Sequence, residues 1–395
     1  MSMTLAEKAP TSTLDPYTDQ ALLNPWPLYR DLREMGPVVW LEKYGMFALT
    51  RYDVVVKALR DWQAFPSSFG VMMNDPMNQV LRGNTLCSDG NAHHRLRRVV
   101  IRPLTPVALE WLKEEVEREA EAVVDRLCGK GRFCATGELA TYLPVTIVSR
   151  AVGLPEQGRE RMMEWSIGLF NCFGPMNERT RNAMPVLSEM MQYARTHAVP
   201  GKLKPGSWAE AIHHAAAAGE VPSEAVPVMM IDYMGPSLDT TIFAISSGVW
   251  LFANYPDQWD LVRNDPSLIP AAINEILRVE APIQDFSRYV ARDYDLDGLL
   301  LPEKSRAIIF YGAANRDPRQ FPHPDRFDVQ RDNAGRHMAF GTGPHICLGM
   351  NLARLEMRAL FTALARKVKR FHIEAQERAL NNVLRGFSKL IVTVE

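Results

Sequence analysis

A cysteine that follows a run of glycines and opens a helix is the most chemically pointed feature of this chain. Phe340-Gly341-Thr342-Gly343-Pro344-His345-Ile346-Cys347-Leu348-Gly349 leads into 350–368, where apolar residues recur at helical spacing. Free backbone N–H groups and the positive end of a helix dipole favour a thiolate there, and a thiolate is a nucleophile or a soft metal ligand. The glycines let the backbone turn tightly and approach a flat ligand without a Cβ clash. Cys87, Cys128, Cys134 and Cys172 read instead as small buried residues. Five cysteines without paired short spacings fit neither a zinc site nor a disulfide-stapled secreted domain, and point to a reducing compartment. Two further constellations stand out. Glu275 and Arg278 share a helix face at i, i+3, with Arg326 downstream as a second cation, and Asp239-Thr240 places an acid beside an alcohol.

The elements that must position these groups are mostly helical. The 395 residues are 47% hydrophobic and 23% charged with a net charge of -1, which allows a sizeable core and gives no bulk attraction to nucleic acid or anionic membrane. The most apolar stretch, 226–255, contains Asp232, Pro236 and Asp239, so it reads as a buried core helix rather than a membrane span. Residues 1–16 lack the features of a signal peptide and are expected to be loose. A helix is expected over 24–35 and a hairpin over 38–51 around Tyr44-Gly45. Thr105 and Pro106 should open a long helix to Leu127, closed by Gly129. The pattern stays helical over 139–261, and 305–311 and 389–394 read as strands. No repeat or composition shift divides the chain, which implies one large, mainly helical domain over 1–395 with small sheets.

The cysteine loop resembles the Phe-Gly-x-Gly-x-His-x-Cys-x-Gly signature of the cytochrome P450 superfamily at every position that pattern fixes. Glu275-Ile276-Leu277-Arg278 looks like its Glu-x-x-Arg element, Pro324-Asp325-Arg326-Phe327 like its Pro-x-Arg-Phe segment, and Asp239-Thr240 like its acid–alcohol pair. The likeness runs from Pro25-Trp26-Pro27-Leu28-Tyr29-Arg30 to the last strand. It implies the family's triangular-prism fold, mainly α with small β-sheets, and a haem-thiolate monooxygenase in which Cys347 ligates the iron of haem b. Phe340 and Gly349 would flank the cofactor, and His93, Arg97, Arg288 and His345 would meet its propionates. Glu275, Arg278 and Arg326 would be structural. Thr240 would order water and Asp239 would help deliver protons to bound O2. Ferredoxin and ferredoxin reductase are the implied electron donors, with Arg336, Arg354 and Arg358 as docking cations, and the implied location is cytoplasmic. The chain departs from the family at Gly235-Pro236-Ser237, where Ala-Gly is common; Pro236 should kink the helix and fill volume beside the iron.

Within the superfamily the chain is most similar to bacterial enzymes that demethylate or hydroxylate para-substituted benzoates. Asp61-Trp62-Gln63-Ala64-Phe65 with Gly70-Val71, then 170–175, then Ile283-Gln284-Asp285-Phe286 carry that likeness. It implies that Phe170, Phe173 and Phe286 enclose a flat aromatic ring, with Pro236, Ile283 and Phe387 completing the pocket. The polar end differs. Asp232 stands where the group has a carboxylate-binding serine, and Arg82 and Asn84 are the substitutes near its other polar contacts. An ionised Asp232 would repel a benzoate, so the expectation is hydroxylation or O-/N-demethylation of a small-to-medium aromatic substrate with a neutral or cationic end. Oxidative coupling or ring closure, peroxide-driven oxidation, and a haem gas sensor or carrier are the alternatives.

Overall fold

The computed structural model describes residues 9–156 and 158–395. Thr105 caps the helix Pro106–Lys130 by accepting from the Ala108 N–H. Leu109, Leu112, Val116, Ala120, Val123, Val124 and Leu127 turn its apolar stripe into the core. The helix passes through Gly129, which was expected to close it, and ends at Gly131, whose φ of 68° turns the chain out of the helical path. It packs along the helix Met350–Lys367, which begins directly after Gly349. Near the start of the chain, the expected 24–35 helix opens only at Trp26, because Asn24 ends a separate short helix, Asp19–Leu23.

Three small sheets flank the helices. The strand β1 (Thr11–Ser12) pairs in parallel with β2 (Val38–Leu41), so residues 9–16 are not loose as expected. Tyr17, just beyond, is buried and donates to Asp285 at 2.8 Å. Residues 1–8 lie outside the described residues. β3 (Met46–Leu49) completes the hairpin with β2, Val38 opposite Leu49 and Leu41 opposite Met46. The later strands are β4 (Arg132–Cys134), β5 (Asp285–Tyr289), β6 (Tyr294–Leu296), β7 (Leu299–Leu301), β8 (Arg306–Phe310), β9 (Phe371–Arg378) and β10 (Phe387–Val394). They give sheets ordered β1-β2-β3-β8-β5, β4-β10-β9 and β6-β7, so residues far apart in sequence meet in one layer. Mainly helical architecture with small sheets is therefore the observed fold class.

The stretch 226–255 differs from its expected single helix. It forms two, Val226–Met234 and Asp239–Asn254, separated by a break at 235–238. Pro236 has no N–H to continue the ladder, and the carbonyls freed nearby are taken by hydroxyls. Ser166 donates to Gly235, Ser237 to Tyr233, and Thr240 to Pro236 at 3.3 Å. No helix among the described residues is long and apolar enough to cross a membrane.

Gly235 permits the close approach of the helix Met162–Asn171: a Cβ there would stand 2.3 Å from Leu169 Cδ2 and 3.2 Å from the Ile231 carbonyl oxygen. Gly235→Ala is expected to destabilise the fold by about 1–3 kcal/mol, read from urea unfolding. An unchanged midpoint would mean that Leu169 turns aside freely and that the packing is looser than described.

Candidate active site

The cysteine loop is closed by the Cys347 N–H, which donates to the Phe340 carbonyl at 2.9 Å. Gly343 has a φ of 77°, and a Cβ on it would lie 2.7 Å from the Leu59 carbonyl oxygen, so glycine alone lets the loop rest on that backbone. The Cys347 side chain is accessible only because it opens onto an internal cavity. Burial pushes its thiol up, against the opposing pull of the Gly349 N–H, the Arg97 charge, the Met350 N–H and the Arg354 charge. The helix N-terminus thus points its amides at the sulfur, as the loop's sequence implied.

Beneath the loop lies a fully buried ion pair. Arg278 Nε donates to Glu275 Oε2 at 2.7 Å and Nη2 to Oε1 at 2.8 Å. Its remaining N–H groups reach the carbonyls of Asn315 at 2.9 Å, Pro324 at 2.8 Å and Arg326 at 3.1 Å, so all five guanidinium donors are used. The Asn315 side chain in turn accepts from the Met338 N–H at 2.6 Å, two residues before Phe340. Arg326 was expected as the second cation, but its side chain is exposed and only its carbonyl takes part. Arg331 pairs with Glu275 instead, at 3.0 Å, because the turn after Phe327 brings its side chain back over the carboxylate.

The cavity encloses about 1720 Å³ of empty space, its opening to solvent included. Phe340, Gly349, Arg97, Arg288 and His345 line it with Cys347. Arg97 donates to the Ile346 carbonyl at 2.6 Å. His93 lies behind His345, ring centroids 4.2 Å apart, and its buried Nε2 has no hydrogen-bond partner. Burial holds His93 at about 4 and lowers His345, so both imidazoles are neutral near pH 7. Arg95 and Arg98 are exposed, as solvated charges should be.

On the opposite wall the helix break presents Pro236, Ser237, Thr240 and Thr241 to the cavity. Asp239 sits behind them, completely buried, with neither carboxylate oxygen in a hydrogen bond of good geometry. Burial pushes it up to about 7, against the Ser166 hydroxyl and the Thr240 N–H nearby. Phe170, Phe173 and Phe286 form a continuous aromatic wall, with centroids 5.5 Å and 4.8 Å apart along the series, and Ile283 adjoins it. Asp232 faces the same cavity, Asn84 with it, while Arg82 is exposed elsewhere. Phe387 does not reach the pocket. It opens β10 on the face that packs against Trp250, centroids 5.8 Å apart, with the Arg378 guanidinium 3.8 Å from its ring, and is core.

Several residues of the site were missed from sequence. Asp89, the residue before the helix Gly90–Val100, accepts from His345 Nε2 at 3.1 Å. Ser166 has no signature of its own. Glu356 lines the cavity from the helix Met350–Lys367, with Oε1 unpartnered and burial pushing the carboxyl up to about 8. An acid between Leu352 and Leu360 on an otherwise apolar stripe was its only available signal.

Comparison with known proteins agrees with this geometry. Residues 213–393 match the family model for Cytochrome P450. Cytochrome p450 CYP199A2 of Rhodopseudomonas palustris is 35% identical over 387 residues, covering 95% of this chain and 92% of that protein. This chain belongs to the cytochrome P450 family. The 6-deoxyerythronolide B hydroxylase of Saccharopolyspora erythraea is 30% identical, covering 84% of this chain and 87% of that protein. An intact type IV self-sufficient cytochrome P450 monooxygenase superposes with a TM-score of 0.85 at 26% identity; it covers 97% of this chain, which spans 53% of that longer protein. CYP109E1 from Bacillus megaterium gives 0.86 at 23% identity, covering 95% of this chain and 99% of that one, a likeness of fold.

As a cytochrome P450 the chain is an oxidoreductase that uses haem b and takes electrons from redox partners. The cavity fits that cofactor. The thiol faces inward, the buried His93 Nε2 lacks a partner, and a Cβ on Gly349 would meet no protein atom within 4 Å, leaving open space where a flat macrocycle would rest.

Replacing Glu275 by Gln would leave Arg278 and Arg331 with an uncompensated buried charge, and is expected to cost about 3–5 kcal/mol in urea unfolding. A loss below about 1 kcal/mol would show that the carbonyls alone satisfy Arg278. For Asp239 the sign runs the other way. Its carboxyl rises in the folded protein from an ordinary 3.8 to about 7, so its contribution to stability is complete below pH 3.8 and is lost as pH rises to about 7. Asp239→Asn should therefore gain on the native chain between those pH values and stay more stable by about 2–4 kcal/mol above them. A stability difference that does not vary with pH would contradict it.

Proposed function

We propose that this cytochrome P450 hydroxylates, or removes an O- or N-methyl group from, a small-to-medium aromatic substrate whose polar end is neutral or cationic. The observation that carries this reading is a single cavity bounded by the Cys347 thiol, the phenylalanine wall and the broken helix. Haem b bound through Cys347 supplies the activation of O2. Arg97 and Arg288 would neutralise the propionates and the neutral His93 imidazole would donate its free Nε2–H to one of them, while His345, whose single N–H goes to Asp89, would border them. Phe340 and Gly349 flank the place of the macrocycle.

The protein's own part is to position substrate and move protons. Phe170, Phe173 and Phe286 offer flat faces to an aromatic ring, and Ile283 and Pro236 narrow the space around it. Thr240 presents a hydroxyl at the break, anchored to the Pro236 carbonyl, where it can hold a water molecule. Asp239, poised near neutrality behind it, can take up and release a proton within the working pH range. Electrons would come from a ferredoxin and its reductase. A groove of about 1060 Å³ of empty space, its opening to solvent included, lies near the Cys347 loop; Arg354, Arg358 and the Glu110-paired Lys113 rim it and offer cations to an acidic partner, and Arg336 is exposed.

Reconstitution of the haem protein with a ferredoxin system and 4-methoxytoluene tests the reading by product mass. One oxygen more means hydroxylation, and loss of a methylene with release of formaldehyde means demethylation. A product of twice the substrate mass less two hydrogens would instead support oxidative coupling, and no product from this or any 4-methoxybenzyl probe despite electron flow would sink the aromatic reading. In Thr240→Ala, product should fall by about 10-fold or more while electron consumption persists, the difference appearing as hydrogen peroxide. Unchanged product per electron would remove Thr240 from the proton path.

A further inference from the structure

The two ends of the cavity differ in charge. Arg97, Arg288 and His345 gather with the cysteine loop and a second acid, Glu356, lines the cavity from the helix after that loop, whereas Asp232 stands with Asn84 and has no cationic partner among the described residues. Its carboxylate accepts two neutral donors, the Asn84 side-chain amide on Oδ1 and the Thr85 backbone N–H on Oδ2, each at 3.3 Å. Those bonds are long, and Asn84 is itself committed, its Oδ1 accepting from the Cys87 N–H at 2.7 Å. The titratable groups that feel the Asp232 charge are the Cys87 thiol, pushed up to about 12 chiefly by burial, and the Tyr233 phenol, raised by burial and then by Asp232. Both are neutral at any working pH. Trp208 and the Phe170–Phe173 pair complete the surroundings with aromatic surface.

A buried acid facing an aromatic cavity, without a protein cation, is a half-built ion pair. We propose that the substrate is an aromatic amine bound as its ammonium ion, with the positive charge against the Asp232 carboxylate and the ring against Phe170, Phe173 and Phe286. This rests on the aromatic reading above and narrows its polar end to a cation. Opposite charges at contact in a partly dry site attract far more strongly than a neutral hydroxyl donor would. The neighbouring ring faces favour a cation as well, and the same carboxylate turns away an aromatic acid.

A pH dependence follows from the geometry. Burial pushes the Asp232 carboxyl up to about 7, and the pair forms only with the ionised acid. Affinity for a permanently charged ligand should therefore rise with pH up to about 7 and then level off.

The test is spectral and calorimetric titration of the haem-loaded protein with three probes: 4-methoxybenzyl-trimethylammonium, 4-methoxybenzyl alcohol and 4-methoxybenzoate. The quaternary ion cannot ligate iron and keeps its charge at every pH; 4-methoxybenzylamine serves as the smaller cation if the methyl groups are too bulky. At pH 8 a cation should bind at least ~10-fold tighter than the alcohol, with the benzoate weakest. Asp232→Asn should abolish that preference while the alcohol still binds, and Asp232→Ser serves if the first variant does not fold. Alcohol binding as tight as both cations, or a preference that survives loss of the acid, would overturn the inference and leave the aromatic reading intact. Failure of every aromatic probe at every pH would overturn both.

Discussion

A carboxylate and a guanidinium closed off from water hold the cysteine loop in place. Burying Glu275 and Arg278 together is costly, and the attraction between them offsets that cost only when every donor and acceptor finds a partner. Here each does: Arg278 spends its five N–H groups on Glu275 and three backbone carbonyls, and Glu275 takes a further bond from Arg331. Those carbonyls belong to 315–326, which otherwise has little regular structure, so the ion pair does for this segment what a hydrogen-bond ladder does for a strand. Through the Asn315 side chain the constraint reaches Met338, and from there the approach to Phe340 is set. A rigid loop is what keeps the Cys347 side chain at its place on the cavity wall.

The opposite wall is organised by a defect. A continuous helix over 226–255 would point its carbonyls along its own axis and leave no backbone polar group for the hydroxyls beside the cavity to meet. Pro236 ends the ladder, Gly235 lets Leu169 close in, and three hydroxyls repair the freed carbonyls. The repair is local and incomplete, because Asp239 at the start of the second helix keeps a carboxyl with no good partner. Local irregularity of this kind is stable only where surrounding packing over-determines it, and such sites cluster where chemistry is done. The residues that break the helix are thus the ones that bring Thr240 to the cavity with an acid behind it.

Most of the fold class and the identity of the loop were legible, because both are written in short-range patterns. Helical periodicity, the Thr105-Pro106 start and the Cys347 motif each occupy a few consecutive residues. What sequence failed to give depended on side-chain direction. Arg326 and Arg331 are equally plausible partners for Glu275 on spacing alone, and the turn after Phe327 decides between them. Phe387 belongs to a strand whose alternate residues face opposite ways, so knowing that it is in β10 does not say which way its ring points. Asp89 and Ser166 act across distances of more than sixty residues, which no local pattern encodes. Asp232 lay between these cases: its place in the helix was readable, and its direction into the cavity was not.

Three acids, Asp232, Asp239 and Glu356, are buried around this cavity without a pairing cation among the described residues, while the buried Glu280 meets Arg316, Arg378 and Arg385. The contrast is not a rule for the whole fold, because Asp285, buried away from the cavity with only the Tyr17 hydroxyl donating to it, is likewise raised to about 7. Glu280 is held below its ordinary range by those arginines, whereas burial raises the three acids around the cavity to about 7 or 8. Each of these three acids is therefore near the point at which it gains or loses a proton. A fold selected for stability alone would replace them with amides or apolar side chains. Asp239 behind the broken helix and Asp232 at the aromatic end thus leave two separate points around one cavity where charge depends on pH.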